Sequence, residues 1–154
     1  MNSSSDTGVL IVAGGTGGHI SPGISLYQEF RRAGVRAHFL SGRRDERFSS
    51  LSEVAAEDMH RYRAPSFAKN PVKLLLFPAV FAGAMLSARK IMRKNNVSAV
   101  IGMGGYVSAP ALMAAKMMKV PLFLCEQNSV PGKVTRFFEK HARMIYGTFQ
   151  GATG

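Results

Sequence analysis

The fold of this chain is decided by the stretch Val9-Leu10-Ile11-Val12-Ala13-Gly14-Gly15-Thr16-Gly17-Gly18-His19. Its first five residues form a short apolar run, which predicts a buried β-strand. The glycines that follow allow a sharp turn and a close approach of backbone to ligand. Ser21-Pro22 then predicts a helix start, where free N–H groups attract anions. The stretch therefore predicts a strand, a ligand-binding turn and a helix; a tight turn that needs glycine for geometry alone is the alternative.

The size and composition of the chain fit one globular domain. Its 154 residues are enough to bury a core. A single cysteine, Cys125, excludes an internal disulfide framework and suits a reducing compartment. Residues 1–7 lack the basic-then-apolar layout of a secretory signal. The longest mostly apolar run, residues 74–86, is shorter than a bilayer-spanning segment needs to be.

The positive charge is unevenly distributed. The formal net charge is +11, and no acidic residue lies between Asp58 and Glu126, where ten lysines and arginines fall. This balance indicates a polyanionic partner: nucleic acid, an anionic membrane surface or a phosphorylated substrate. Tryptophan is absent and the phenylalanines cluster in apolar segments, which disfavours a nucleic-acid partner.

Strand and helix patterns alternate along the chain. Strands are predicted at residues 9–13, 37–41, 60–64, 99–103, 120–125 and 144–148. Helices are predicted at residues 22–33, 44–56, 71–94, 110–119 and 131–140. Such alternation predicts an α/β fold, a Rossmann-like doubly wound parallel sheet of about six strands.

Three strand ends share one layout, in which a polar or glycine-rich turn precedes a serine and a proline. They are followed by Ser21-Pro22, Ser108-Ala109-Pro110 and Ser129-Val130-Pro131, each read as a helix cap and first turn. With the common strand order 3-2-1-4-5-6, these turns meet at the switch point where such sheets bind ligands. We therefore expect four residues to meet in space: His19, Tyr106, Glu126 and Asn128.

The sequence disfavours several familiar kinds of binding site. Neither glycine turn continues as G-x-G-x-x-G, because Ile20 and Val107 occupy the last position, and neither has the Gly-Lys-Ser/Thr of a P-loop. Ser41-Gly42-Arg43-Arg44 follows the second strand in place of the carboxylate that binds the ribose of NAD. The four histidines show no metal-ligand spacing, so we expect neither a cofactor nor a metal.

Three motifs in order resemble the N-terminal domain of glycosyltransferase family 28, in the GT-B superfamily. They are Gly14 to His19 continued by Ile20-Ser21-Pro22-Gly23, Gly102-Met103-Gly104-Gly105-Tyr106-Val107-Ser108-Ala109-Pro110, and Cys125-Glu126-Gln127-Asn128. The resemblance covers nearly the whole chain. Two positions depart from the family pattern: Ala109 replaces a usual glycine, and Cys125 replaces a usual histidine.

The resemblance implies an inverting hexosyltransferase of peptidoglycan synthesis. Such an enzyme moves N-acetylglucosamine from UDP-GlcNAc to the C4 hydroxyl of the muramyl sugar of lipid I, giving lipid II. It implies a peripheral location on the cytoplasmic face of the bacterial inner membrane. Residues 1–154 would form the N-terminal acceptor domain, and the C-terminal domain that holds most of the donor site would be absent. Alone, this domain should not catalyse efficiently. A membrane-recruiting subunit of a two-chain GT-B enzyme, acting on another polyprenyl-diphosphate sugar, is the alternative.

The chemistry of the transfer assigns roles to the motif residues. His19 is the first choice for the base because its pKa suits neutral pH, and Glu126 is the second. The backbone N–H groups of four glycines would hold the acceptor diphosphate: Gly17, Gly18, Gly104 and Gly105. By resemblance, Thr16 and Asn128 contact the sugar nucleotide, and Tyr106 is expected to contact the acceptor sugar.

The predicted long helix carries more apolar surface than one buried stripe can hide. Pro78 should kink or interrupt it. The exposed part predicts a patch that binds an anionic membrane, made of Leu74, Leu75, Phe77, Phe81, Lys69, Lys73, Arg89 and Lys90. A long core helix with a solvated basic tail is the alternative.

Overall fold

A computed structural model describes residues 7–65 and 71–147, in which strands and helices alternate. Its strands are β1 (Gly8–Val12), β2 (Ala37–Gly42), β3 (Met59–Tyr62), β4 (Val97–Gly102), β5 (Leu122–Glu126) and β6 (Met144–Gly147). Its α-helices are α1 (Gly17–Arg32), α2 (Pro71–Lys94), α3 (Gly105–Met118) and α4 (Lys133–Phe138). Short 3-10 helices lie at Arg43–Arg47, Ser49–Glu53 and Glu139–His141.

The strands form one parallel sheet in the order β3-β2-β1-β4-β5-β6, which confirms the predicted fold class and strand order. The chain leaves β3 at one edge and returns through α2 to β4, beside β1. The carboxyl ends of β1 and β4 are therefore neighbours at the switch point. A ligand-binding crevice is expected at this place in a doubly wound sheet.

Both faces of the central strand are buried. Leu10 and Val12 pack in the layer with α2, α3 and α4, while Ile11 and Ala13 pack in the layer with α1 and the 3-10 helix at Ser49–Glu53. Burial on both faces explains why β1 reads as a continuous apolar run. The sheet thus holds the turn after β1 on a rigid base.

The predicted helix at residues 44–56 is wrong: two short 3-10 helices take its place. The Asp45 carboxylate accepts a hydrogen bond from the Gly42 N–H at 3.0 Å, which closes a tight turn. In the residues that follow, serine side chains form hydrogen bonds to backbone groups that an α-helix would use. The Ser52 hydroxyl, for example, donates to the Ser49 carbonyl at 2.7 Å. Leu51 anchors this irregular segment in the core.

The predicted helix starts at serine and proline are also wrong. Helices α1 and α3 begin at glycines, five residues before Pro22 and Pro110, and both prolines lie inside the helices. Ser108 is no cap; its hydroxyl donates to the Gly104 and Gly105 carbonyls. The third helix begins at Lys133, after the cap position Gly132, and gives way to 3-10 geometry from Glu139. The strand ends differ from the prediction by at most two residues; Thr148 lies outside the described part of the chain.

Helix α2 runs through Pro78 without interruption. Residues 74–94 are long and apolar enough to cross a membrane by length and composition alone, with mean hydropathy 1.5 and 11% of the most apolar window buried. The prediction that this region is too short considered residues 74–86 alone and is wrong, because the helix continues to Lys94. One face of the helix belongs to the core, because Ala84, Ala88 and Met92 are buried against α3 and the sheet.

Candidate active site

The first turn of the site leads from β1 into α1. Thr16 is its cap residue, in an extended conformation, but its side chain does not cap the helix. The Thr16 hydroxyl instead lies 2.8 Å from Nδ1 of His19, in the first turn of α1. This contact orients the imidazole ring, and it occupies only one of the two ring nitrogens.

The second turn, between β4 and α3, lies directly against that ring. Gly104 and Gly105 have φ of +83° and +73°, values that side chains rarely adopt. A Cβ atom on Gly104 would lie 3.3 Å from Nε2 of His19, and one on Gly105 would lie 3.2 Å from Nδ1. Glycine is therefore required at both positions for two reasons: a side chain would strain the backbone there, and it would meet the imidazole ring.

The third turn follows β5 and is organised by Glu126, which is 2% exposed. One carboxylate oxygen accepts hydrogen bonds from the backbone and side-chain nitrogens of Asn128 at 3.1 and 2.8 Å. The other accepts from the Gly132 N–H at 3.0 Å and the Thr135 hydroxyl at 2.6 Å. Both oxygens are thus engaged in shaping the turn, and the exposed Asn128 is fixed by it.

The two candidate bases, His19 and Glu126, differ in the causes that shift their pKa values. Burial lowers the pKa of His19 below 6.5, and the nearby Glu126 charge opposes this by raising it. For Glu126, burial alone would raise the pKa, but the hydrogen bonds from Thr135, Gly132 and Asn128 outweigh it and lower the pKa. At neutral pH, His19 is a neutral imidazole and Glu126 a carboxylate.

Cys125 lies at the end of β5, next to Glu126. Burial raises the pKa of its thiol to about 11, so the sulfur stays protonated at neutral pH. A protonated thiol is a poor nucleophile and a poor metal ligand. Among the described residues, no group of three or more histidine, cysteine and acidic side chains could hold a metal ion.

The glycine turns also present unpaired backbone donors. Within the described ranges, no hydrogen-bond acceptor is found for the N–H groups of Gly17, Gly18, Gly104 and Gly105. Such groups at helix starts are suited to phosphate oxygens. Gly15 differs, because its N–H donates to Asp45 Oδ1 at 3.0 Å.

Asp45 is a residue of the site that sequence reasoning missed. It is 3% exposed, and besides the Gly15 and Gly42 N–H groups it accepts a hydrogen bond from the Ser41 hydroxyl at 3.0 Å. A Cβ atom on Gly14 would lie 2.3 Å from its Oδ2, so the carboxylate requires glycine there. The signal in the sequence was an acidic residue three positions after Gly42, at the start of a helical turn.

Tyr106 completes the set that the sequence predicted to meet. Its side chain is exposed at the start of α3, and its ring lies 3.2 Å from the position of a Cβ atom on Gly15. The predicted convergence of the β1, β4 and β5 turns is therefore present. The residues of the predicted membrane patch lie elsewhere, on α2. Lys69 and the side chain of Lys73, which belong to the same prediction, are outside the described structure.

Solved structures of longer chains share this architecture over part of their length. The crystal structure of Acinetobacter baumannii MurG matches with a TM-score of 0.74 at 24% identity, covering 94% of this chain and 42% of that one. UDP-GlcNAc 2-epimerase from Neisseria meningitidis matches with a TM-score of 0.59 at 14% identity, covering 85% of this chain and 35% of that one. These matches show the fold, a parallel α/β domain that makes up part of each of these longer chains.

The chain belongs to glycosyltransferase family 28: the model of the family's N-terminal domain matches residues 9–147. Curated relatives are named UDP-N-acetylglucosamine--N-acetylmuramyl-(pentapeptide) pyrophosphoryl-undecaprenol N-acetylglucosamine transferase. The relative from Acidovorax sp. (strain JS42) is 39% identical over 144 residues, covering 91% of this chain and 35% of its own length. That from Pseudomonas syringae pv. syringae is 35% identical over 145 residues, covering 94% and 40%. The chain thus spans about two fifths of the length of these relatives.

Proposed function

We propose that this chain is the acceptor-binding half of an inverting transferase that moves N-acetylglucosamine from UDP-GlcNAc to the muramyl C4 hydroxyl of lipid I. The observation that carries the proposal is the packing of His19 on the Gly104-Gly105 backbone beside Glu126. A neutral imidazole is placed there with free N–H donors around it. The relatives' names supply the identity of donor and acceptor.

In this mechanism, His19 removes the proton of the acceptor hydroxyl as that oxygen attacks the anomeric carbon of the donor. The bond to UDP breaks on the opposite face, which inverts the anomeric centre. In the tautomer in which Nδ1–H donates to the Thr16 hydroxyl oxygen, Nε2 has a free lone pair and is the nitrogen that takes the proton. Glu126 acts through position, holding Asn128 and the third turn, because its oxygens already accept four hydrogen bonds.

The other residues of the site bind the two substrates. The N–H groups of Gly17, Gly18, Gly104 and Gly105 hold diphosphate oxygens of the acceptor. Tyr106 is assigned to the acceptor sugar, and Thr16 and Asn128 to the donor; all three side chains are exposed. Most of the UDP-GlcNAc site would belong to a second domain, as in other GT-B enzymes, and residues 1–154 would form a single N-terminal domain.

The test of this function supplies the second domain. The chain is fused to the C-terminal half of a family 28 relative, and transfer of labelled GlcNAc from UDP-GlcNAc to a short-chain lipid I analogue is measured. We expect an inverted product, and none with a 4-deoxy muramyl acceptor. The relative's own N-terminal half in the same fusion is the control. Absence of transfer, together with absence of acceptor binding by the 154-residue chain, would refute the proposal.

The exposed face of α2 supports attachment to a membrane surface. At 100° per residue, six exposed residues fall on one stripe: Leu75, Ala79, Ala82, Leu86, Arg89 and Arg93. Leu74 and Leu75 are 65% and 81% exposed, and Lys90 and Lys94 lie beside the basic end. Phe77 and Phe81 are half-buried, so they contribute less to this surface than the sequence predicted. An apolar stripe ending in cations suits an interfacial helix on the cytoplasmic leaflet.

Two negative charges introduced on the exposed stripe of α2 should weaken binding of the protein to vesicles. We expect Leu75→Glu with Leu86→Glu to lower binding to anionic liposomes at least tenfold, since each buried leucine contributes about 1.5–3 kcal/mol. The control is Met117→Glu with Phe137→Glu, which adds the same charge at two other exposed apolar sites. Sedimentation and thermal unfolding are measured together. Equal binding by both double variants would show that the stripe does not meet the membrane.

A further inference from the structure

A cavity of about 390 Å³ lies beside the glycine turns, and no step of the mechanism above uses it. It is bounded by the turn after β2, the segment after β3, the first turns of α2 and the start of α3. Tyr106 lines it, and the same ring contacts the turn that leads to His19. The cavity therefore adjoins the candidate active site directly.

One side of the cavity is strongly basic. Arg43, Arg44 and Arg63 all line it, and all three side chains are exposed. Among residues 7–65 and 71–147, none of these arginines forms an ion pair with a carboxylate. The acidic residue in the lining, Asp45, is buried and already accepts three hydrogen bonds from Gly15, Ser41 and Gly42. Three guanidinium groups without a counter-charge are suited to an oxyanion, above all to phosphate.

The other side of the cavity is apolar and belongs to α2. Leu76, Phe77 and Val80 line it, on the turns of the helix adjacent to the exposed Leu74 and Leu75. A ligand that fills the cavity would therefore meet cations on one wall and hydrocarbon on the other. Its apolar part would leave toward the surface that we assign to the membrane.

We propose that this cavity binds the junction between the prenyl chain and the diphosphate of the acceptor. The arginines take the phosphoryl group next to the prenyl chain, and the wall formed by α2 takes the first prenyl units. The glycine turns are left to hold the phosphoryl group next to the sugar, which places the sugar near Tyr106 and His19. This inference rests on the proposed function, because it assumes a polyprenyl-diphosphate acceptor.

Equilibrium dialysis of the 154-residue chain with radiolabelled farnesyl diphosphate, at fixed ionic strength, tests the cavity without any transfer reaction. We expect Arg44→Gln and Arg63→Gln each to weaken binding about tenfold, the loss typical of a charge-assisted hydrogen bond. Arg47→Gln is the matched control, because Arg47 lies in the same 3-10 helix, stacks on Phe48 and does not line the cavity. It should stay within twofold of wild type.

Competing ligands identify which part of the acceptor is bound. Inorganic diphosphate should displace farnesyl diphosphate at least tenfold less well than the unlabelled prenyl compound does, since it lacks the hydrocarbon. Farnesol and an acidic pentapeptide should not displace it. Equal losses in the Arg44, Arg63 and Arg47 variants, or displacement by the pentapeptide alone, would overturn the assignment. Either result would leave the transfer assay of the proposed function unaffected, so the two failures are distinguishable.

Discussion

His19→Ala should lower turnover about 100-fold or more in the fusion that carries a donor-binding domain, because it removes the group that accepts the proton. His19→Asn should be nearly as slow. An asparagine can keep the contact with the Thr16 hydroxyl, yet it accepts no proton at neutral pH. Turnover and the KM for the acceptor are measured separately for both variants. A loss confined to KM would show that His19 binds substrate and takes no part in proton transfer.

The pH profile gives the same prediction a second, independent measurement. A base works unprotonated, and burial lowers the pKa of His19 below 6.5 in the folded protein. The rate should therefore be constant above pH 6.5 and fall tenfold per pH unit only below the lowered pKa. If the opposing charge of Glu126 dominated, the fall would begin above pH 6.5. His141→Ala is the control, since it removes an exposed imidazole far along the chain, beside Lys116.

Glu126→Gln separates the second candidate base from the first. Glutamine has one acceptor oxygen, so two of the four donors that now meet the carboxylate would lose their partner. We expect this variant to unfold at a lower temperature and to keep more activity than His19→Ala. A Glu126→Gln protein with wild-type stability and the greater loss of turnover would assign the proton transfer to Glu126 instead.

The strand order and the meeting of three turns were predictable because they depend on local signals. Apolar runs such as Val9 to Ala13 mark strands, glycine and serine-proline pairs mark the turns, and right-handed crossovers then leave few topologies. His19, Gly104 and Tyr106 could be placed together from chain order alone. Their contacts were not needed for that prediction, only the knowledge that neighbouring parallel strands end at the same edge.

The details that escaped prediction depend on partners distant in sequence or on backbone freedom. Helix α3 begins at Gly105 because φ of +83° and +73° at two successive glycines turns the chain early, a choice that Pro110 does not reveal. Glu126 accepts hydrogen bonds from Gly132 and from Thr135, six and nine residues further along the chain, so its structural role is invisible in the motif itself. The segment after β2 has a helical spacing of apolar residues, but Asp45 ties its first turn to the loop at Gly15, thirty residues earlier.

Asp45→Ala should lower the free energy of unfolding by about 2–4 kcal/mol, since it leaves the Gly15 N–H, the Gly42 N–H and the Ser41 hydroxyl without an acceptor in a buried place. Chemical denaturation of the 154-residue chain, followed by circular dichroism, measures the change. Glu46→Ala is the matched control. That carboxylate is exposed in the same 3-10 helix and, among the residues that the structure describes, pairs with Arg61 alone, at 3.8 Å. Its loss should therefore change stability by less than about 0.5 kcal/mol.

The Asp45 variant also links the stability of the fold to the shape of the site. Gly14 lies against the Asp45 carboxylate, and the Gly15 N–H donates to it, so the turn before Thr16 depends on a side chain from the 3-10 helix that follows β2. Asp45→Asn keeps one acceptor oxygen and nearly the same volume, so it should lie between alanine and wild type. An alanine variant within 1 kcal/mol of wild type would mean that water replaces the carboxylate at no cost. The glycine turn would then hold its conformation, and the position of His19, through the sheet alone.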